Sequence, residues 1–128
     1  MDTKTILVAD DESHILHVVS LKLRNAGYRV ITARDGREAL EAARHERPDL
    51  LITDYHMPEL SGLELCGLLK QDPATAGIPA IMLTARGYFL DPADTDGSGI
   101  LRMLSKPFSP RQLLATVNEV LASGARAA

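Results

Sequence analysis

The chain has 128 residues, 45% of them hydrophobic and 24% charged, with a formal net charge of −3. That suits one domain with a single core, and the acidic balance argues against nucleic acid or an anionic membrane as a partner. No apolar run approaches the roughly 18 residues of a membrane span, and the opening MDTKTILVADD is unlike a signal peptide. The one cysteine, Cys66, allows no internal disulfide, so a cytoplasmic location is the expectation, with Cys66 a small apolar residue on a helix.

Short apolar runs alternate with helical patterns along the chain. TILVA (Thr5–Ala9) reads as a buried strand. ESHILHVVSLKLRNAG follows as a helix, with Ile15, Val18, Val19 and Leu23 on its inward face and Gly27 closing it. RVITA (Arg29–Ala33) is a second strand. DGREALEAARHER is a second helix, capped by Asp35 and turning Ala39, Leu40 and Ala43 inward. DLLIT is the third strand, and SGLELCGLLKQD runs as a third helix from a Ser61 cap to a stop at Pro73. PAIMLT (Pro79–Thr84) and LRMLS (Leu101–Ser105) supply the fourth and fifth strands. Between them ARGYFLDPADTDGSGI has no helical period and contains Pro92, Gly97 and Gly99, so the fourth helix is expected to be short or irregular. SPRQLLATVNEVLASG forms the last helix, with Ser109 as N-cap, Pro110 at the first helical position, and Leu113, Leu114, Val117, Val120 and Leu121 inward. The domain is expected over residues 1–122, and residues 123–128 as a frayed tail or linker stub.

This alternation, with strands too apolar to carry a wet face, implies an α/β fold: a doubly wound five-stranded parallel sheet with helices on both faces. In such sheets the ligand crevice lies beyond the carboxyl ends of the strands. The first strand runs into Asp10 and Asp11, the third into Asp54, the fourth ends on Thr84, and the fifth runs through Ser105 to Lys106. Three acids, a hydroxyl and an amine therefore converge. A like-charge pair about 4 Å apart costs roughly 1 kcal/mol in water and about 4 kcal/mol near a protein surface. Either one acid protonates or a cation sits among them. An all-oxygen site beside an open crevice suits Mg²⁺. With Lys106 and Thr84 facing the same carboxylate, the set is fit to stabilise a phosphoryl group in transfer, with Asp54 as the nucleophile that becomes an aspartyl phosphate.

The stretches ILVADDE, LLITDYHMPELSGLEL, IMLTAR and LSKPF, in this order and spacing, resemble the response-regulator receiver domain of two-component signalling, of the stand-alone chemotaxis type, over essentially the whole chain. The resemblance implies a flavodoxin-like strand order 2-1-3-4-5. It makes Asp54 the phosphoacceptor, Asp11 a direct Mg²⁺ ligand, Asp10 a ligand acting largely through metal-bound water, and the backbone carbonyl of His56 a further ligand. Thr84 and Lys106 become the residues that meet the phosphate. It also implies a cis Lys106–Pro107 bond, and Gly62 as the residue that frees the turn after the active-site loop. The implied partners are a histidine kinase or phosphotransfer protein as donor and an unknown output protein, with the chain a monomer or a weak phosphorylation-linked dimer. The chain is then a signalling receiver that assists its own Mg²⁺-dependent phosphorylation and dephosphorylation.

Two features depart from the family. Met103 stands three positions before Lys106, where the family carries an aromatic switch residue, and the fourth helix is broken. Tyr88 or Phe89 is then a candidate substitute sensor or partner anchor, with simple packing an equal alternative. DTDGSGIL (Asp94–Leu101) matches the early positions of an EF-hand loop, but position twelve is Ser105 rather than glutamate, and a polar turn is the better reading. His14, His17 and His45 lack the spacing of a zinc site; His56 rims the pocket. The alternative functions are a phosphorylation-independent docking module, and a phosphatase of the haloacid-dehalogenase type. The latter needs an Asp at position 56, which is His56.

Overall fold

Five short strands pair side by side, all parallel: β1 (Thr5–Ala9), β2 (Arg29–Ala33), β3 (Leu50–Asp54), β4 (Ala80–Thr84) and β5 (Ile100–Ser105). They form one sheet in the order β2-β1-β3-β4-β5, as the family pattern implies. Among the described residues four helices pack on it: α1 (Ser13–Asn25), α2 (Gly36–Glu46), α3 (Gly62–Gln71) and α4 (Pro110–Ala122). This computed structural model describes residues 3–85 and 99–122. The expected short fourth helix, Tyr88, Phe89, most of the EF-hand-like stretch and the 123–128 tail lie outside the described residues.

Because side chains alternate along a strand, each central strand feeds two cores. Ile6, Val8, Leu50, Ile52, Ile81 and Leu83 point to the face covered by α1 and α4, where they meet Leu16, Val19, Leu23, Leu113 and Val117. Leu7, Ala9, Leu51 and Met82 point to the other face, against Ala39 and Ala43 of α2 and Leu65 and Leu69 of α3. Cys66 is buried in this second core, as an apolar residue would be, and burial pushes its thiol up to about 12. Burying one such large side chain is worth about 1.5–3 kcal/mol, which is why the doubly covered strands β3 and β4 are apolar along almost their full length.

The edge strands correct one expectation. In β2, Arg29 and Thr32 are exposed, and in β5, Arg102, Met103 and Ser105 are exposed, so both edges do have a wet side. Met103 is paired in register with Met82 but is itself 38% exposed.

The helix starts follow the capping residues. Asp35 Oδ1 accepts the Glu38 N–H at 2.8 Å, Ser109 Oγ accepts the Gln112 N–H at 2.9 Å, and Ser61 and Glu64 form a reciprocal capping box. In α1 the inward stripe is Leu16, Val19, Ser20 and Leu23, while Val18, expected inside, is 44% exposed. Apolar residues on two adjacent sides of α1 left its rotation ambiguous, and the sheet takes the side that includes the polar Ser20.

Candidate functional site

Strand register places the acids together. β1 and β3 pair as far as Ala9↔Thr53, so the next residues, Asp10 and Asp54, leave neighbouring strands side by side. This is the crevice where the strand order reverses. β4 and β5 pair through Thr84↔Ser105, and the Lys106 N–H donates to the Thr84 carbonyl at 2.7 Å, which delivers Lys106 from the far edge. The Lys106–Pro107 bond is cis, as the resemblance implied.

Lys106 Nζ sits 3.1 Å from Asp10 Oδ2, 3.0 Å from Glu12 Oε1 and 3.3 Å from Asp54 Oδ1. Asp10 is wholly buried and Asp54 nearly so. The cation that compensates Asp54 in this arrangement is therefore the lysine. Carboxylate oxygens of Asp10, Asp11, Glu12 and Asp54 lie within 4.8 Å of one another, a set that could hold a metal ion. An all-carboxylate donor set fits a hard divalent cation such as Mg²⁺.

Electrostatics follow from this crowding. Burial, together with the charges of Asp10 and Asp11, raises the Asp54 carboxyl from the ordinary 3.8 to about 6, and Lys106 only partly offsets this. Burial also raises Asp10, against the opposing Glu12 N–H bond (2.9 Å to Oδ1) and Lys106. For Lys106 burial acts to lower the value. Its bonds to Glu12 and Asp10 and the charges of Asp10 and Asp54 outweigh that, so the amine is held firmly protonated.

Thr84 is buried at the end of β4. His56 is exposed two residues beyond Asp54, and its ring meets Tyr55 edge-on, with centroids 4.6 Å apart at 80°. Gly62 corrects another expectation, because space rather than turn freedom explains it. Its N–H donates to the Tyr55 carbonyl at 2.9 Å, and a Cβ there would lie 2.3 Å from the Asp54 carbonyl oxygen. The glycine lets the start of α3 close against the strand end that carries Asp54.

Sequence reasoning missed Glu12. It is the third acid of ADDE and the N-cap of α1, yet its side chain makes no capping bond and turns to Lys106 instead. A run of three acids where capping needs one was the available signal.

Beside Lys106 an apolar groove of about 470 Å³ opens between α1 and the loop after β5, lined by Glu12, Ile15, Val18, Lys106, Pro107 and Phe108 among others. It accounts for the exposure of Val18 as part of a groove wall.

The model of the response regulator receiver domain matches residues 6–118. The chain belongs to this family. It is 42% identical over 118 residues to the alkaline phosphatase synthesis transcriptional regulatory protein PhoP of Bacillus subtilis, covering 92% of this chain and 48% of that protein. It is 39% identical over 118 residues to the phosphate regulon transcriptional regulatory protein PhoB of Pseudomonas aeruginosa, covering 92% and 52%. The chain thus spans about half the length of these curated relatives. Among solved structures, the chemotaxis response regulator CheY4 of Vibrio cholerae superposes with a TM-score of 0.85 at 35% identity, covering 93% of this chain and 99% of that one. A receiver domain protein from Clostridium thermocellum gives 0.84 at 30% identity, covering 94% and 96%. Receiver domains are signalling proteins of two-component systems, and aspartyl phosphate and magnesium fit the family. Among the described residues no helix is long and apolar enough to cross a membrane.

Proposed function

We propose that the receiver accepts a phosphoryl group on Asp54 from a histidine kinase or phosphotransfer protein and changes partner binding as a result. The observation that carries this reading is the buried Asp54 carboxylate, set beside Lys106 and three further acids at the mouth of the sheet. With a pKa of about 6 it is mostly ionised at neutral pH and so is available as a nucleophile. An Asp54 oxygen attacks phosphorus in the donor's phosphoimidazole. The P–O bond forms as the P–N bond breaks, and the leaving imidazole nitrogen takes a proton from solvent.

Asp10, Asp11, Asp54 and the His56 carbonyl would hold Mg²⁺, which supplies charge neutralisation for the transferring group. Lys106 acts by releasing its carboxylates and pairing with the new phosphoryl oxygens, and the Thr84 hydroxyl donates to the same group. The apolar groove that Lys106 helps to line is the face offered to the donor protein, since the same lysine contacts Asp54. The hydrolase alternative loses its footing with family membership. The docking-module alternative keeps one observation in its favour, the exposed Met103 in the place of an aromatic switch residue.

Incubation with acetyl phosphate and Mg²⁺, read by intact-protein mass spectrometry, tests the reading. Wild type should gain one phosphoryl group, and neither Asp54→Asn nor an EDTA-treated sample should. Equal labelling of Asp54→Asn, or none in wild type, contradicts it. Partner binding that is identical for wild type and Asp54→Asn under phosphorylating conditions would favour the docking module.

A further inference from the structure

A second pocket lies between α1 and the edge strand β2, separate from the acid cluster. It is an open space of about 220 Å³ lined by Ser13, His17, Ser20, Arg24, Thr32 and Arg34, over Leu16. On α1 the four polar residues are spaced by four, three and four, which puts them on one stripe of the helix. From the other side come Thr32 of β2 and Arg34, the first residue past the end of that strand. Among the described residues no carboxylate lines the pocket. The two arginines, the histidine and three hydroxyls make a donor-rich surface of positive sign.

Ser20 is the independent sign that something belongs there. It occupies a position of the inward stripe otherwise held by Leu16, Val19 and Leu23, and it is 4% exposed. Its Oγ has no hydrogen-bond partner, which is true of no other buried side-chain nitrogen or oxygen among the described residues. Buried hydroxyls are almost always satisfied, by protein, water or ligand. One water occupies about 30 Å³ of liquid volume, so this pocket is much roomier than satisfying Ser20 alone requires. Arg24 is already anchored, with Nη2 donating to the Val30 carbonyl at 3.3 Å, which holds its guanidinium beside the strand.

We propose that this pocket binds a phosphate-type oxyanion, either free phosphate or the phosphoryl group of a small phosphate monoester. Arg24 and Arg34 neutralise the charge, a pairing for which planar guanidiniums are well suited. The Ser20 hydroxyl gains the partner it lacks. Because β2 is a sheet edge, the pocket is open to solvent, and a substituent on the phosphate can project outward.

Amide NMR titrations of the full chain test this, using inorganic phosphate and glycerol 3-phosphate, each against sodium chloride at matched ionic strength and without added Mg²⁺. The expected result is saturable shifts concentrated at Ser13–Arg24 and Thr32–Arg34. Arg34→Gln, at an exposed position just past the edge strand, should weaken binding about tenfold, the loss of one charge-assisted pair. Ser20→Ala should weaken it several-fold without lowering the melting temperature of the free protein. Equal affinity for the two probes assigns the site to free phosphate, and tighter binding of the ester assigns it to phosphorylated small molecules; both support the proposal. Shifts that match the chloride control, or an unchanged titration of Arg34→Gln, overturn it and leave Ser20 to water.

Discussion

At the carboxyl ends of β1 and β3 the fold buries two carboxylates and sets Lys106 between them, whereas on the sheet-facing side of α1 it buries the Ser20 hydroxyl and gives it nothing. The contrast is one of magnitude. An uncompensated buried charge costs several kcal/mol, so the acids must have a cation, and the chain brings one from the opposite end of the sequence. An unpaired hydroxyl costs about 1–3 kcal/mol, which a domain with two full cores can tolerate. The two sites also differ in what they lack. Among the described residues the acid cluster has four carboxylates for one lysine and is short of positive charge, while the α1–β2 pocket has arginines and no acid.

The largest effect on this comparison comes from removing the lysine. Lys106→Met leaves Asp10 and Asp54 buried without their cation, and should destabilise the domain by about 3 kcal/mol or more at pH 8. The loss should shrink as pH falls, since protonating the acids removes the repulsion, and added Mg²⁺ should restore part of it. Urea denaturation at pH 8 and pH 5 measures this, and a pH-independent loss would mean the lysine acts through packing alone.

Asp54→Asn should have the opposite sign. The folded-state pKa of about 6 lies above the ordinary 3.8, so the native state holds its proton more tightly and ionisation costs stability as pH rises from about 4 to about 6. The amide removes that cost. The variant should be more stable than wild type by on the order of 2–3 kcal/mol above pH 6, with the gain vanishing below about pH 4. Calorimetric melting across that range would show a widening gap; parallel curves would remove the electrostatic account.

Ser61→Ala is a smaller change. It deletes the capping box of α3 without touching either polar site, and should cost about 1 kcal/mol. Ser20→Ala in the absence of ligand has the opposite sign and is small: losing the unsatisfied hydroxyl while the methylene packing stays should stabilise the domain by about 1 kcal/mol. A large loss from Ser20→Ala would show that the hydroxyl is bonded in solution and would erase the contrast between the two regions.

Much of this architecture was readable before any coordinates. The strands came from apolar runs too short for helices, and Asp35, Ser61 and Ser109 marked helix starts because a short polar side chain before a periodic segment has a backbone N–H to accept from. Asp10, Asp54 and Lys106 could be brought together because strand ends in a parallel sheet share one edge. What escaped depended on three-dimensional choices that a one-dimensional pattern leaves open. Val18 and Ser20, two residues apart, lie on nearly opposite flanks of one helix, and only packing decides which of them the sheet covers. Glu12 drew no role from the sequence, because nothing along the chain ties it to Lys106, whose side chain it meets in the fold. Gly62 is needed because a Cβ would strike the Asp54 carbonyl, a clash between residues eight apart that no turn rule contains.

The central claim, that Asp54 is a carboxylate held in want of positive charge, is tested most directly by following its carboxyl carbon by NMR against pH, with and without Mg²⁺. The account predicts a midpoint near 6 without the metal, moving downward as Mg²⁺ saturates the cluster. A midpoint near that of an ordinary aspartate, unmoved by Mg²⁺, would contradict it.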